Sequence, residues 1–199
     1  GGIGPKFDTS NAATVILEKE IECLRDELRK TTKKNYRIVS QILPLQKLVK
    51  SKRDALEKIK NALHKNGQKL NNLLAVIAHC NSEAKEIACK RISSADEDDD
   101  SFDTASSDSS SCDHNYHSYD ELANEINQLN TSIEEFEIEN DMFSGEIDTM
   151  QKQIDGINVY FTEVDRIVHT PDMLVKEKIK VLTQMAEATI LFVSKLERT

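Results

Sequence analysis

Residues 118–164 read SYDELANEINQLNTSIEEFEIENDMFSGEIDTMQKQIDGINVYFTEV, and apolar side chains recur in this stretch every three or four positions. Ile126, Ile133, Ile147, Ile154 and Phe161 fall at one heptad position, a; Leu122, Leu129, Phe136, Phe143, Met150, Ile157 and Val164 fall at the other, d. Asn140 is the one polar residue in the series. A 3.5-residue repeat held this long is the seam of a supercoiled helix, which buries one narrow stripe against another helix. Ser118 with Glu121 three residues on is the reciprocal capping box that starts such a helix, so this arm is assigned to residues 118–169.

Working outward, the same repeat runs through residues 10–92. With Ile21 at a, the a series continues through Leu28, Asn35, Ile42, Val49, Leu56, Leu63, Leu70, Ile77, Ala84 and Arg91, and the d series through Leu17, Leu24, Thr31, Ile38, Leu45, Lys52, Ile59, Asn66, Leu73, Cys80 and Ile87. The repeat stays in phase past Pro44 and Gly67, which predicts one arm kinked at both places rather than ended there. Residues 1–9 read as a flexible lead-in or cloning remnant. At the other end, Thr170-Pro171-Asp172 looks like a helix start, with Thr as cap, Pro in the first turn and Asp complementing the dipole, giving a last helix over 170–199. That helix is apolar on more than one side. Leu174, Ile179, Leu182, Met185 and Phe192 are its candidate partner-binding face.

Between the arms the periodicity stops. Residues 93–117 carry eight Ser and eight Asp or Glu, too little apolar surface to offset the entropy of ordering, so this tract is expected to be a disordered acidic loop. Charge is distributed to match a fold-back. Residues 1–91 hold 19 Lys or Arg against 10 Asp or Glu; residues 92–151 hold 18 acidic residues and no basic one. The expected architecture is therefore all-α: a long antiparallel coiled-coil hairpin with a wider helical-bundle head and the acidic Ser-rich loop at its tip. Its register is chosen to place Asn66 opposite Asn140, because each buried carboxamide left alone would cost about 1–3 kcal/mol. A competing arrangement is a parallel homodimer through residues 14–43, where Glu20 and Arg25 have the g-to-e′ spacing of parallel pairs and Asn35 occupies an a site.

Composition narrows the function classes. In 199 residues there is no Trp, only six Gly and three Pro, and 5% aromatics, which disfavours a β-sandwich or barrel. No apolar run approaches the roughly 18–20 residues that cross a bilayer, and no signal peptide is evident. The four cysteines show no paired spacing, which suits reduced thiols and a cytoplasmic placement, with the nucleus also open. The basic half has its acidic counterpart in the same chain, so nucleic acid is not needed to explain it.

Catalytic motifs are lacking: there is no Gly-rich phosphate loop, nucleophile elbow or His-Glu-x-x-His pair. Cys112, His114 and His117, with His79, Cys80 and Cys89, could surround zinc, but Cys80 belongs to the seam and the loop spacing is irregular, so no metal, cofactor or enzymatic activity is expected. The acidic tract surrounds hydroxyls with the field an acidophilic kinase reads, which makes Ser93, Ser94, Ser101, Thr104 and Ser110 candidate phosphosites. Within it, Asp96 to Asp100 followed by Ser101-Phe102-Asp103-Thr104-Ala105 resembles the phosphorylation-dependent form of the FFAT motif. That resemblance implies docking on the VAP receptors of the endoplasmic reticulum, with Phe102 as anchor, Thr104 as the phosphorylated residue and Ala105 as the small residue after it. Asp103 stands where the conventional motif has a second aromatic. The two functional expectations are thus a coiled-coil scaffold or adaptor that takes protein partners through helix packing, and a trafficking or membrane-contact module recruited through the loop.

Overall fold

The computed structural model describes residues 3–65, 69–88 and 118–198, with side chains from residue 12. All regular structure among them is helical: α1 (Ile3–His64), α2 (residues 71–88), α3 (Tyr119–Val168) and α4 (Val175–Glu197). The all-α class, the long first helix and its packing against the second arm are as expected. Of the expected lead-in, residues 3–9 already belong to α1, whose start tolerates Pro5 because the first turn needs no intrahelical amide donor there. Pro44 lies inside α1, which runs on past it.

The chain divides into two compact units, one of residues 1–39 and 94–143 and one of residues 40–93 and 144–199. In the first, the front of α1 meets the front of α3 along the predicted seams. Ile21 and Ile38 of α1 and Leu122 and Ile133 of α3 are buried. The cross-helix contacts ascend together in sequence, Arg25 to Glu125 and then Asn35 to Asn140, so the two helices run parallel here. The Asn pair is separated by 105 residues, a whole number of heptads, which sets a opposite a and d opposite d as a parallel coil requires. This corrects the expected register: Asn140 pairs with Asn35, and Asn66 lies outside the described residues.

The second unit is a four-helix arrangement. The helix over residues 71–88 is not a continuation of α1; it turns back along it. His64 ends α1, Asn72 and Leu73 donate to the carbonyls of Lys69 and Leu70, and Cys80 and Asn81 return beside Ser51 and Lys52. Thus the antiparallel hairpin that the sequence led us to expect between the two arms occurs inside the first arm. A second hairpin joins α3 to α4, where Tyr160 reaches Leu182 and Gln153 reaches Val193.

The core of this unit comprises Leu56, Ile59 and Leu63 of α1, Leu73 and Cys80 of α2, Ile157, Tyr160, Phe161, Val164 and Ile167 of α3, and Leu182, Ala186 and Val193 of α4. Full burial of each large aliphatic or aromatic side chain is worth about 1.5–3 kcal/mol, so this interior is the main source of its stability. A smaller cluster of Leu45, Val49 and Ile154 joins α1 to α3.

Helix ends explain where the elements stop. Ser118 and Glu121 form the predicted capping box, the Glu121 amide donating to the Ser118 hydroxyl at 3.2 Å and the Ser118 amide to the Glu121 carboxylate at 3.4 Å. Thr170, expected to cap the last helix, instead closes the preceding one: its hydroxyl donates to the Arg166 carbonyl at 2.9 Å. The last helix begins at Val175 with Leu174 extended before it and no side-chain cap. Lys178, buried in the first turns of α4, donates its ammonium to the Val168 carbonyl at 2.8 Å, placing a cation on the negative end of α3.

Candidate functional site

Two kinds of feature stand out on this scaffold: polar groups inside the helix seams and apolar groups on its surface. In the first unit the Asn35 carboxamide donates to Asn140 Oδ1 at 2.9 Å, and Asn140 Nδ2 donates to the Thr31 carbonyl at 3.4 Å. Asn140 is only 4% exposed, so these bonds replace the water it has lost. Close by in the same coil, the Arg25 guanidinium pairs with the Glu125 carboxylate across the e and g edges. Under the offset of the Asn pair, Glu125 occupies the place that Glu20 of a second copy would take in the parallel homodimer. Both devices that suggested such a dimer, Arg25 and Asn35, are satisfied within one chain.

In the second unit Lys52 occupies a d position and is nonetheless buried. Its ammonium lies 5.5 Å from the centroid of the Phe161 ring and donates to Asn81 Oδ1 at 3.4 Å. Beside it the Ser51 hydroxyl donates to Glu83 Oε2 at 2.6 Å, His79 Nε2 sits 3.1 Å from Glu83 Oε1, and Cys80 Sγ is 3.7 Å from the Ser51 oxygen. This group brings together a hydroxyl, a thiol, an imidazole and a carboxylate. The Ser51 hydroxyl holds the Glu83 carboxyl below its ordinary value, with a smaller contribution from His79. Its evident work is to tie α2 to α1. Among the described residues no three His, Cys, Asp or Glu side chains are grouped closely enough to hold a metal ion.

The candidate partner-binding face on the last helix is split by the fold. Leu182 is fully buried, and Ile179 and Met185 pack partly against the same core, so these three serve the protein's own interior. Leu174 and Phe192 remain exposed, and Leu191 beside Phe192 is 66% exposed. Phe192, at 45%, lies over Gly156 of α3, where a Cβ would fall 2.7 Å from its ring. One turn along α3, Val159 is also exposed, at 64%. Leu191, one of the apolar residues of the last helix, was not placed on its candidate face, and Val159 was not singled out, since a heptad reading separates inward from outward positions only once the neighbours are known.

The loop assignments, Ser93, Ser94, Ser101, Phe102, Thr104, Ala105 and Ser110, lie outside the described residues, as do Cys89, Cys112, His114 and His117. Among the described residues no helix is long and apolar enough to cross a membrane. No family model matches the chain, and no curated protein or solved structure does either.

Proposed function

We propose that the protein is a non-enzymatic helical scaffold or adaptor that binds a protein partner by laying an amphipathic helix of that partner on the exposed apolar stripe of α4. The observation that carries this reading is the exposure of Leu191 and Phe192 side by side on α4, whose inward positions, Lys178, Leu182, Ala186 and Val193, are already occupied within the bundle. A helix that has satisfied its own core does not need further large apolar groups on the outside, and adjacent exposed apolar side chains give a partner helix an anchor. The Ser51, Glu83, His79 and Cys80 group supports a structural rather than a catalytic role, since the contacts of Ser51 with Glu83 and Cys80 hold α1 to α2. A cytoplasmic or nuclear setting accords with unpaired Cys23 and Cys80.

Cross-linking mass spectrometry on affinity-purified complexes tests the proposal. Leu191→Asp with Phe192→Asp should abolish cross-links from α4 to the partner while the helical content stays unchanged. Retention of those cross-links in the double variant would remove the α4 stripe as the binding surface.

A further inference from the structure

We infer that the outer face of α3 in the first unit is a docking site for a cationic amphipathic helix of a protein partner. Ile138 and Met142 stand on successive turns at the f and c positions of the heptad and are 63% and 55% exposed. In a two-stranded coil these positions face water, and the other f and c residues of this part of α3, Asn124, Gln128, Thr131 and Glu135, are polar and exposed accordingly. The apolar pair is therefore a local departure, not a property of the whole face.

The charges around the pair decide what fits it. Around the helix, Glu134 and Asp141 at b border it on one side and Glu139 at g on the other, with Glu135 two turns before Met142 and in line with it. None of these four carboxylates makes an ion pair among the described residues. Elsewhere the surface behaves differently: Asp26 is answered by Arg29 and Lys30, and Glu163 by Arg166, each within one turn. No such answer is available in this part of α3, because residues 118–143 contain eight acidic residues and no Lys or Arg. A helix presenting two apolar side chains at i and i+4, with Lys or Arg on both flanks, would cover the Ile138 and Met142 side chains and neutralise both rims. An anionic or uncharged helix would leave the carboxylates facing like charge or nothing, and the same sign disfavours nucleic acid and anionic lipid.

The site involves no residue of α4 and stands whether or not α4 binds anything. The test uses the full chain and two synthetic helical peptides that share a Leu stripe, one flanked by Lys and the other by Glu, with binding read by fluorescence anisotropy at physiological ionic strength. The Lys peptide should bind and the Glu peptide should not. Ile138→Ala with Met142→Ala should weaken the Lys peptide by about tenfold, the loss of a contact worth roughly 1.4 kcal/mol, and Phe192→Asp should have no effect. Replacing Asp96, Asp98, Asp99 and Asp100 by Asn is the control for attraction to acidic sequence in general, and binding should survive it. The inference is overturned if the loss follows the Asp-to-Asn change instead of the Ile138 and Met142 change, or if the Glu peptide binds equally well. It is also overturned if sedimentation shows a salt-sensitive dimer of the chain that Met142→Lys dissolves, because the occupant is then a second copy.

Discussion

Replacing Asn35 by Leu should destabilise the first unit more than replacing Asn140 by Leu, and the two changes together should cost less than either suggests. In wild type the Asn35 amide donates to Asn140 Oδ1 at 2.9 Å, and Asn140 is buried while Asn35 is half-buried. Asn35→Leu leaves that oxygen without a donor in a closed site, with only the longer bond to the Thr31 carbonyl remaining to the side chain. An orphaned buried acceptor costs about 1–3 kcal/mol, and the added apolar contact of Leu returns part of it, so a net loss of about 1–2 kcal/mol is expected. Asn140→Leu leaves the half-buried Asn35 amide free to turn to water, for a loss of about 0–1 kcal/mol. The double variant makes an apolar a layer like that of Leu28 and Ile133, and the coupling should be about 1–2 kcal/mol in favour of the pair. Urea unfolding followed by circular dichroism measures the cycle. Losses that add to within about 0.5 kcal/mol would show that the two residues do not act on each other, and the parallel register would lose its internal support.

Lys52→Met should leave stability unchanged or raise it by about 1 kcal/mol in thermal unfolding, because a buried ammonium gives way to an apolar chain of similar length beside Phe161. Gly145→Ala should stabilise α3 by about 0.5–1 kcal/mol, since nothing lies within 4 Å of the added methyl; Gly156→Ala should gain less or lose, because Phe192 must move aside. Burial raises the Tyr160 phenol above its ordinary value of 10.0, so the folded state keeps a proton that the unfolded chain gives up as pH climbs past that value; stability should be flat below it and fall above it, and Tyr160→Phe should blunt the fall.

The seams, the capping box at Ser118 and the inward face of α3 were readable from residue type and spacing because each is decided within a turn or two. The partner of each seam was not. Leu28, Ile133 and the other apolar a residues are interchangeable between a parallel and an antiparallel register, so the choice fell to three polar residues, Asn35, Asn66 and Asn140, and these allow more than one pairing. Arg25 and Glu125 carried the missing information, since their e and g positions meet only when the helices run the same way. The in-phase repeat past Gly67 misled for a different reason. A helix that doubles back must also show an apolar face every three or four residues, so the repeat on residues 71–88 could not by itself distinguish continuation from reversal, whereas Asn66-Gly67 is a strong turn dipeptide. Thr170 resembled a cap because Thr can close a helix by bonding to a carbonyl behind it as well as open one by accepting an amide ahead. The surface sites depend on which outward positions neighbours leave uncovered, and no local pattern contains that.

The separation of Asn35 from Asn140 by 105 residues has a kinetic meaning. The contacts of Tyr160 with Leu182 and of Ser51 with Cys80 join positions 22 and 29 residues apart and can close as soon as each hairpin has left the ribosome. The front of α1 has to wait for a further 105 residues before its partner helix is synthesised, with its apolar edge unprotected meanwhile. Nascent chains on one message therefore have an interval in which Arg25 and Asn35 can find the same segment of a neighbour, and slow elongation upstream of residue 118 would lengthen it.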